Sequence, residues 1–306
     1  MTKLQTMTRR DTFLFAAGAA GTAAAATVAA PTPSLAMGLP KEFNWDDPAE
    51  RVRVQAAVKG SSGEETVYSF FRLHLYGYTH SGNLIPFATM SNLNVAEWRR
   101  KPNGNQAATV FEAGYYTKFD SHETLEVWEN PVTGEKRKPW RFIGGPLSVE
   151  IGPDGVVTGE GATLKPERLQ VQVFGDTVMF PTASAFSFPN PMRPEQYPKE
   201  SAGDTYYWDS HYVYFATMKD VLNRDLTSIP SHIQFQNLVS WHPWWGMGGH
   251  EGRTWGRAYG SKINTLDDVP KDYRKGLEDQ TPEIFDTGNW TAFREDFDEY
   301  MEDRHS

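Results

Sequence analysis

Arg72, His74 and Tyr76 alternate along one strand-like stretch, Val67 to Tyr78. Residues two apart on a strand share a face about 7 Å apart. Inside a barrel they would form successive layers, with Arg72 holding a carboxylate or developing oxyanion. His74 would then move a proton, assisted by Tyr76. A second pair, Asp209 and His211, shares a face of the stretch Thr205 to Thr217. A carboxylate beside an imidazole orients it as a base, which makes His211 a second proton-transfer candidate. The bland reading of these histidines is a set of buried, hydrogen-bonded side chains. Arg72 equally well pairs with a structural carboxylate.

The segment Ser240 to Tyr259 reads SWHPWWGMGGHEGRTWGRAY. Glycine lets a backbone approach a ligand closely, and Trp and Tyr offer flat apolar surface with a polar handle. Trp241, Trp244 and Trp245, joined by Trp208, are therefore candidate walls for a flat apolar molecule. His242, His250 and Arg257 are candidate contacts at its rim. A loop packed on its own tryptophans explains the same pattern. Arg253 and Arg257 share a strand face and, with Lys262, could hold an anion; a solvated face is the simpler reading.

These residues must be positioned by β-structure. Val67 to Tyr78, Leu84 to Met90, Phe111 to Phe119, Thr124 to Trp128, Leu147 to Ile151 and Val156 to Thr158 read as strands. So do Leu169 to Phe174, Thr177 to Phe180, Ser184 to Phe188, Thr205 to Thr217, Ile229 to Ser240 and Thr254 to Ile263. Turn residues separate them, as at Gly152-Pro153-Asp154-Gly155. Short strands at about ten-residue spacing predict a mainly β, antiparallel barrel-like single domain, calycin-like in architecture. A barrel is preferred to a sandwich because several strands look occupied on both faces, neither of them a charged, solvent-like face. Val67 to Tyr78 sets Val67, Phe71, Leu73 and Leu75 against Tyr68, Phe70, Arg72, His74, Tyr76 and Tyr78. Asp47-Pro48 predicts a short helix start, and a second helix is expected around Lys271 to Gly276. Trp290, Phe293, Phe297, Tyr300 and Met301 fall at helical spacing and predict a C-terminal helix.

Composition sets the outer limits. The 306 residues contain no Cys, and 39 acidic against 30 basic residues give a net charge of -9. That removes disulfide scaffolds, thiolate metal sites and cysteine nucleophiles. The acidic balance argues against nucleic-acid binding. There is no G-x-S-x-G elbow, P-loop or dinucleotide fingerprint, so no organic cofactor is implied. A metal held by His, Asp and Glu alone stays open, although no H-x-x-x-H or H-x-H pair is present.

Arg9-Arg10 precedes an uncharged Ala/Gly-rich run, Phe13 to Ala30, and Ser34-Leu35-Ala36 fits a small-x-small cleavage site. Residues 1–36 thus read as a twin-arginine signal and 37–306 as the exported domain. The expected location is the periplasm, with no membrane anchor after cleavage.

The segment Trp128-Glu129-Asn130-Pro131-Val132-Thr133-Gly134-Glu135 resembles the W-x-N-P-x-T-G-E signature of the domain of unknown function 1838 family. Tyr68 to Tyr78 followed by Asn92-Leu93-Asn94-Val95, and Trp241 to Gly248 followed by Gly260-Ser261-Lys262, fit the same family. The resemblance spans about residues 48 to 290. It implies a single-domain antiparallel β fold, often exported by the twin-arginine route. It carries no catalytic residues over.

The leading expectation is a cofactor-independent periplasmic lyase, isomerase or hydrolase. It would act by acid/base chemistry on a small hydrophobic, aromatic molecule, with His74, His211, Tyr76 and Arg72 as the reactive set. The alternatives are a non-catalytic carrier for an apolar ligand and a multi-His metal enzyme. The aromatic surface leaves room for a homodimer without specifying an interface.

Overall fold

The computed structural model describes residues 44–157 and 171–290. Residues 1–36, read as a signal, and the helix expected from Trp290 to Met301, all but Trp290 itself, lie outside the described residues. Ten strands form one antiparallel sheet that curls into a half-barrel. They are β1 (Thr66–Thr79), β2 (Leu84–Arg100), β3 (Gln106–Thr117), β6 (Phe142–Gly152), β7 (Gly155–Val157), β8 (Gln172–Phe174), β9 (Thr177–Pro189), β10 (Thr205–Thr217), β11 (His232–Val239) and β12 (Gly252–Ile263). Their order is β7-β6-β3-β2-β1-β12-β11-β10-β9-β8. Two short strands, β4 (Trp128–Glu129) and β5 (Lys136–Arg137), make a separate ribbon. The chain is mainly β and barrel-like, as the alternating sequence predicts.

Several elements differ from their expected limits. Leu84 to Met90 continues to Arg100. Thr177 to Phe180 and Ser184 to Phe188 are one strand, despite Pro181 between them. Pro181 faces Val213 on β10, and among the described residues β8 pairs with Thr177, Val178 and Met179. Thr124 to Trp128 is reduced to a bridge from Thr124 to Thr117 and the start of β4.

Helix α1 (Pro48–Lys59) lies inside the curl. Asp47 caps it, its carboxylate accepting from the Ala49 N–H at 2.9 Å, and Pro48 opens it. Val54, Ala57 and Val58 pack against Val178, Phe180, Ala216 and Ile229, while Ala56 packs with Val67, Ala96, Trp98 and Ile151. One short helix therefore bridges the two arms of the sheet. Lys262 on β12 fastens its end, donating to the carbonyls of Ala57 and Gly60 at 2.7 and 2.9 Å.

After the short helix α2 (Met218–Leu222), the outer face of β1, β2, β3 and β6 is covered by α3 (Lys271–Gln280). Tyr273 and Leu277 are fully buried against Leu93, Val95, Phe111, Ala113 and Ile143. The Leu93 N–H donates to Tyr273 Oη at 2.9 Å, and that hydroxyl donates to the Ala113 carbonyl. This packing is why β1 is apolar on both faces near Tyr68 and Phe70. Among the described residues, no helix is long and apolar enough to cross a membrane.

Candidate functional site

The concave face of the sheet encloses a cavity of about 320 Å³. That lies at the small end of the range for ligand sites. On β1 it is the odd-numbered residues that face inward: Ser69, Phe71, Leu73 and Leu75 line the cavity. From β10 it is Tyr206, Trp208, Tyr212 and Tyr214, and from β2 Met90, Asn92 and Asn94. The ladder dictates this. Tyr212, Phe235, Ala258, Leu73, Met90 and Tyr116 are successive partners across β10, β11, β12, β1, β2 and β3, and form one continuous inner row.

Glu112 sits in this apolar chamber, only 9% exposed. It is directly opposite Asn94, and Asn94 Nδ2 donates to Glu112 Oε1 at 2.6 Å. The other oxygen, Oε2, takes no hydrogen bond among the described residues, and no cation pairs with it. Burial pushes the carboxyl from its ordinary 4.5 up to about 8, with the Asn94 bond opposing the rise. At neutral pH it is therefore mostly protonated and able to donate. Burial also raises the phenols of Tyr212 and Tyr214, and the field of Glu112 adds to both. Both stay protonated.

One end of the chamber is closed by aromatics. Pro243–Trp245 forms a single 3-10 turn ended by Gly246 in the left-handed region at φ 64°. A Cβ at Gly246 would collide with the Arg137 guanidinium. Arg137, on β5, is fully buried and pairs with Glu135 at 2.8 Å and Glu200 at 3.3 Å. It also donates to the Trp244 carbonyl at 3.3 Å. Trp244 Nε1 donates to Tyr116 Oη at 3.0 Å, and Trp128 Nε1 donates to the Phe87 carbonyl at 2.7 Å. Asn130 Nδ2 donates to the Trp245 carbonyl at 2.8 Å. The Trp128-Glu129-Asn130 segment is thus a clamp on the Trp244-Trp245 turn.

The residues expected to react are placed differently. His74 faces Arg257 on β12, Arg257 faces Gln236 on β11, and Gln236 faces His211 on β10. The four form one row on the convex side, away from the cavity. Tyr76 stands beside Trp255 on that side, and the Arg257 guanidinium lies 3.6 Å from the Trp255 ring centre. Arg72 meets His122 Nδ1 at 2.9 Å and donates to the Lys118 and Phe119 carbonyls. The layered interior expected for Arg72, His74 and Tyr76 is therefore corrected. Curling turns the even-numbered face of β1 outward, and its odd-numbered face, apolar apart from Ser69, turns inward.

The expected walls divide. Trp208, Trp244 and His242 line the cavity. Trp241 and Trp245 are buried behind them, stacked on or tilted against Phe87. His250 is exposed, and its carbonyl accepts from Trp241 Nε1 at 2.9 Å. Burial lowers His242 from 6.5 to about 4, so its imidazole is neutral at pH 7. Among the described residues no three of His, Asp and Glu gather into a group that could hold a metal ion.

A family model described as "Protein of unknown function (DUF1838)" matches residues 75–298. The chain belongs to the DUF1838 family. No curated protein matches it. The DUF1838 match starts at the end of β1 and takes in Asn94, Glu112, Tyr212, Tyr214 and His242, but leaves out α1. Glu112 escaped the sequence reading, although a signal existed. It is the one charged residue in Val110-Phe111-Glu112-Ala113-Gly114-Tyr115-Tyr116, a run otherwise fit for burial.

Proposed function

We propose that the protein is a cofactor-independent enzyme that binds a small hydrophobic, aromatic molecule in the concave cavity and acts on it by proton transfer. The reaction class is that of a lyase, isomerase or hydrolase. The observation that carries this reading is Glu112: a cavity-facing carboxyl held neutral by its apolar surroundings, anchored through one oxygen by Asn94 and open at the other. A proton-transfer group is most effective when its pKa lies near the working pH. Strong perturbation in a cavity marks such groups. Glu112 protonates a substrate oxygen or carbon and recovers the proton later in the cycle, while Asn94 keeps Oε1 fixed. Tyr212 and Tyr214 supply further hydroxyl donors to an oxygen on the substrate. Trp208 and Trp244 pack on its apolar body. The twin-arginine pattern at Arg9-Arg10 supports action in the periplasm.

The test is a turnover screen of aromatic esters, ketones and hydroxy compounds, with intrinsic Trp fluorescence reporting binding. The wild type should convert at least one compound that quenches fluorescence. Glu112→Gln should bind that compound comparably and lose about a hundredfold or more of the rate, the usual share of general acid–base catalysis. Full activity in Glu112→Gln sinks the assignment. Tight binding without product in the wild type favours the non-catalytic carrier.

A further inference from the structure

Lys59, the last residue of α1, also lines the cavity. Its ammonium makes no ion pair and no hydrogen bond among the described residues. Its Nζ lies 6.0 Å from the centre of the Tyr214 ring. Glu112 lines the same cavity but does not compensate it: neither group shifts the other. Of the cations on the cavity wall, Arg141 donates to the Gln280 carbonyl at 3.3 Å, whereas Lys59 has no such partner among the described residues, and the Glu112 carboxyl is mostly neutral at pH 7. Taking an ammonium out of water is costly without a counter-ion or hydrogen-bond acceptors. The contrast with Lys262 is instructive. That lysine, at the same helix end, satisfies its ammonium with the Ala57 and Gly60 carbonyls and Ser228 Oγ, at 2.7 to 2.9 Å. Lys262 hydrogen-bonds the carbonyls of the helix end; Lys59, in the last turn, has only the helix dipole to favour its charge.

We propose that the cavity's ligand is an amphipathic acid: an apolar body that fills the aromatic chamber and one anionic group, such as a carboxylate, held by Lys59 Nζ. This rests on the cavity being the binding site and adds the charge of its occupant. The ligand's anion satisfies the ammonium, and its apolar body meets Phe71, Leu73, Phe235 and Trp244. Lys59 lies outside the stretch matched by the family model, so nothing in that match bears on it.

The experiment compares two fluorescent probes with nearly the same body. One is 8-anilinonaphthalene-1-sulfonate, which is anionic; the other is N-phenyl-1-naphthylamine, which is neutral. The full chain is used as wild type, Lys59→Met and Lys59→Arg, with thermal melting on each. The wild type should bind the anionic probe more tightly than the neutral one. Lys59→Met should lose about tenfold to a hundredfold for the anionic probe, the worth of a charge-assisted hydrogen bond, and keep its affinity for the neutral probe. Lys59→Arg should retain most of the preference. The empty Lys59→Met protein should melt higher than wild type, because a half-buried charge without an ion pair has been removed. Equal binding of the anionic probe by wild type and a folded Lys59→Met overturns the role of Lys59. Failure of the neutral probe to bind the wild type, or its indifference to Thr182→Trp at the cavity wall, overturns the cavity itself.

Discussion

Asn94 and Glu112 face each other across β2 and β3, with Asn94 Nδ2 donating to Glu112 Oε1 at 2.6 Å. An amide donor can serve either protonation state of the carboxyl, so the site tolerates a proton that comes and goes. This makes Glu112 a probe of stability as well as of chemistry. Its folded pKa, about 8, is above the ordinary 4.5. Between those values the folded state holds a proton that the unfolded state has released, so stability falls as pH rises. The slope is about 1.4 kcal/mol per pH unit at most. Chemical denaturation of wild type and Glu112→Gln from pH 5 to 8 should show the wild type losing ground steadily relative to the variant. Parallel curves would mean that the carboxyl is hydrated and ordinary. Taking the difference between the two proteins removes His242. Its depressed pKa, about 4, acts with the opposite sign, gaining stability between pH 4 and 6.5.

Trp244 joins the chamber wall to Tyr116 by a 3.0 Å hydrogen bond. Trp244→Ala should cost about 3–5 kcal/mol, since the site cannot collapse around a lost indole. Tyr116→Phe should cost only about 1 kcal/mol. Urea unfolding of the two variants checks the ratio. A mild Trp244→Ala would show that the aromatic end is loosely packed.

Arg137 is fully buried between Glu135 and Glu200 and also holds the Trp244 carbonyl. Arg137→Met should destabilise by about 3 kcal/mol, because the buried Glu200 carboxylate loses this cation, while Glu135 is partly exposed and keeps Lys199 at 3.5 Å. Arg137→Met combined with Glu135→Gln and Glu200→Gln should recover part of that loss. A fully additive triple variant would contradict the pairing.

His74 and His211 stand on the convex row with Arg257 and Gln236 between them. His74→Ala and His211→Ala should each change stability by less than about 1 kcal/mol, as surface substitutions do. Neither should alter binding of the neutral naphthylamine probe. Loss of that binding in either folded variant would place the cavity on the other face of the sheet.

The alternation of Val67 to Tyr78 and Thr205 to Thr217 determined by itself that these are strands, and hence that the chain is an antiparallel β protein. Periodicity of two is a local property of the sequence, and in these two stretches ladders on both sides of each strand agree with it. The Trp128-Glu129-Asn130 and Trp244-Trp245 segments stood out as special in sequence, and the fold brings them together as a clamp.

Only the tertiary structure decided which face of each strand is inside. A strand with two non-polar faces does not reveal its inward side, and β1 has two because α3 covers Tyr68 and Phe70 from without. The sense of the sheet's curl, set by packing α1 inside and α3 outside, sent Leu73 inward and His74 outward. That same choice gathered Asn94, Glu112 and Lys59 around one cavity, although they lie on three elements. Their chemistry comes from lost water, and burial is a property of the assembled fold.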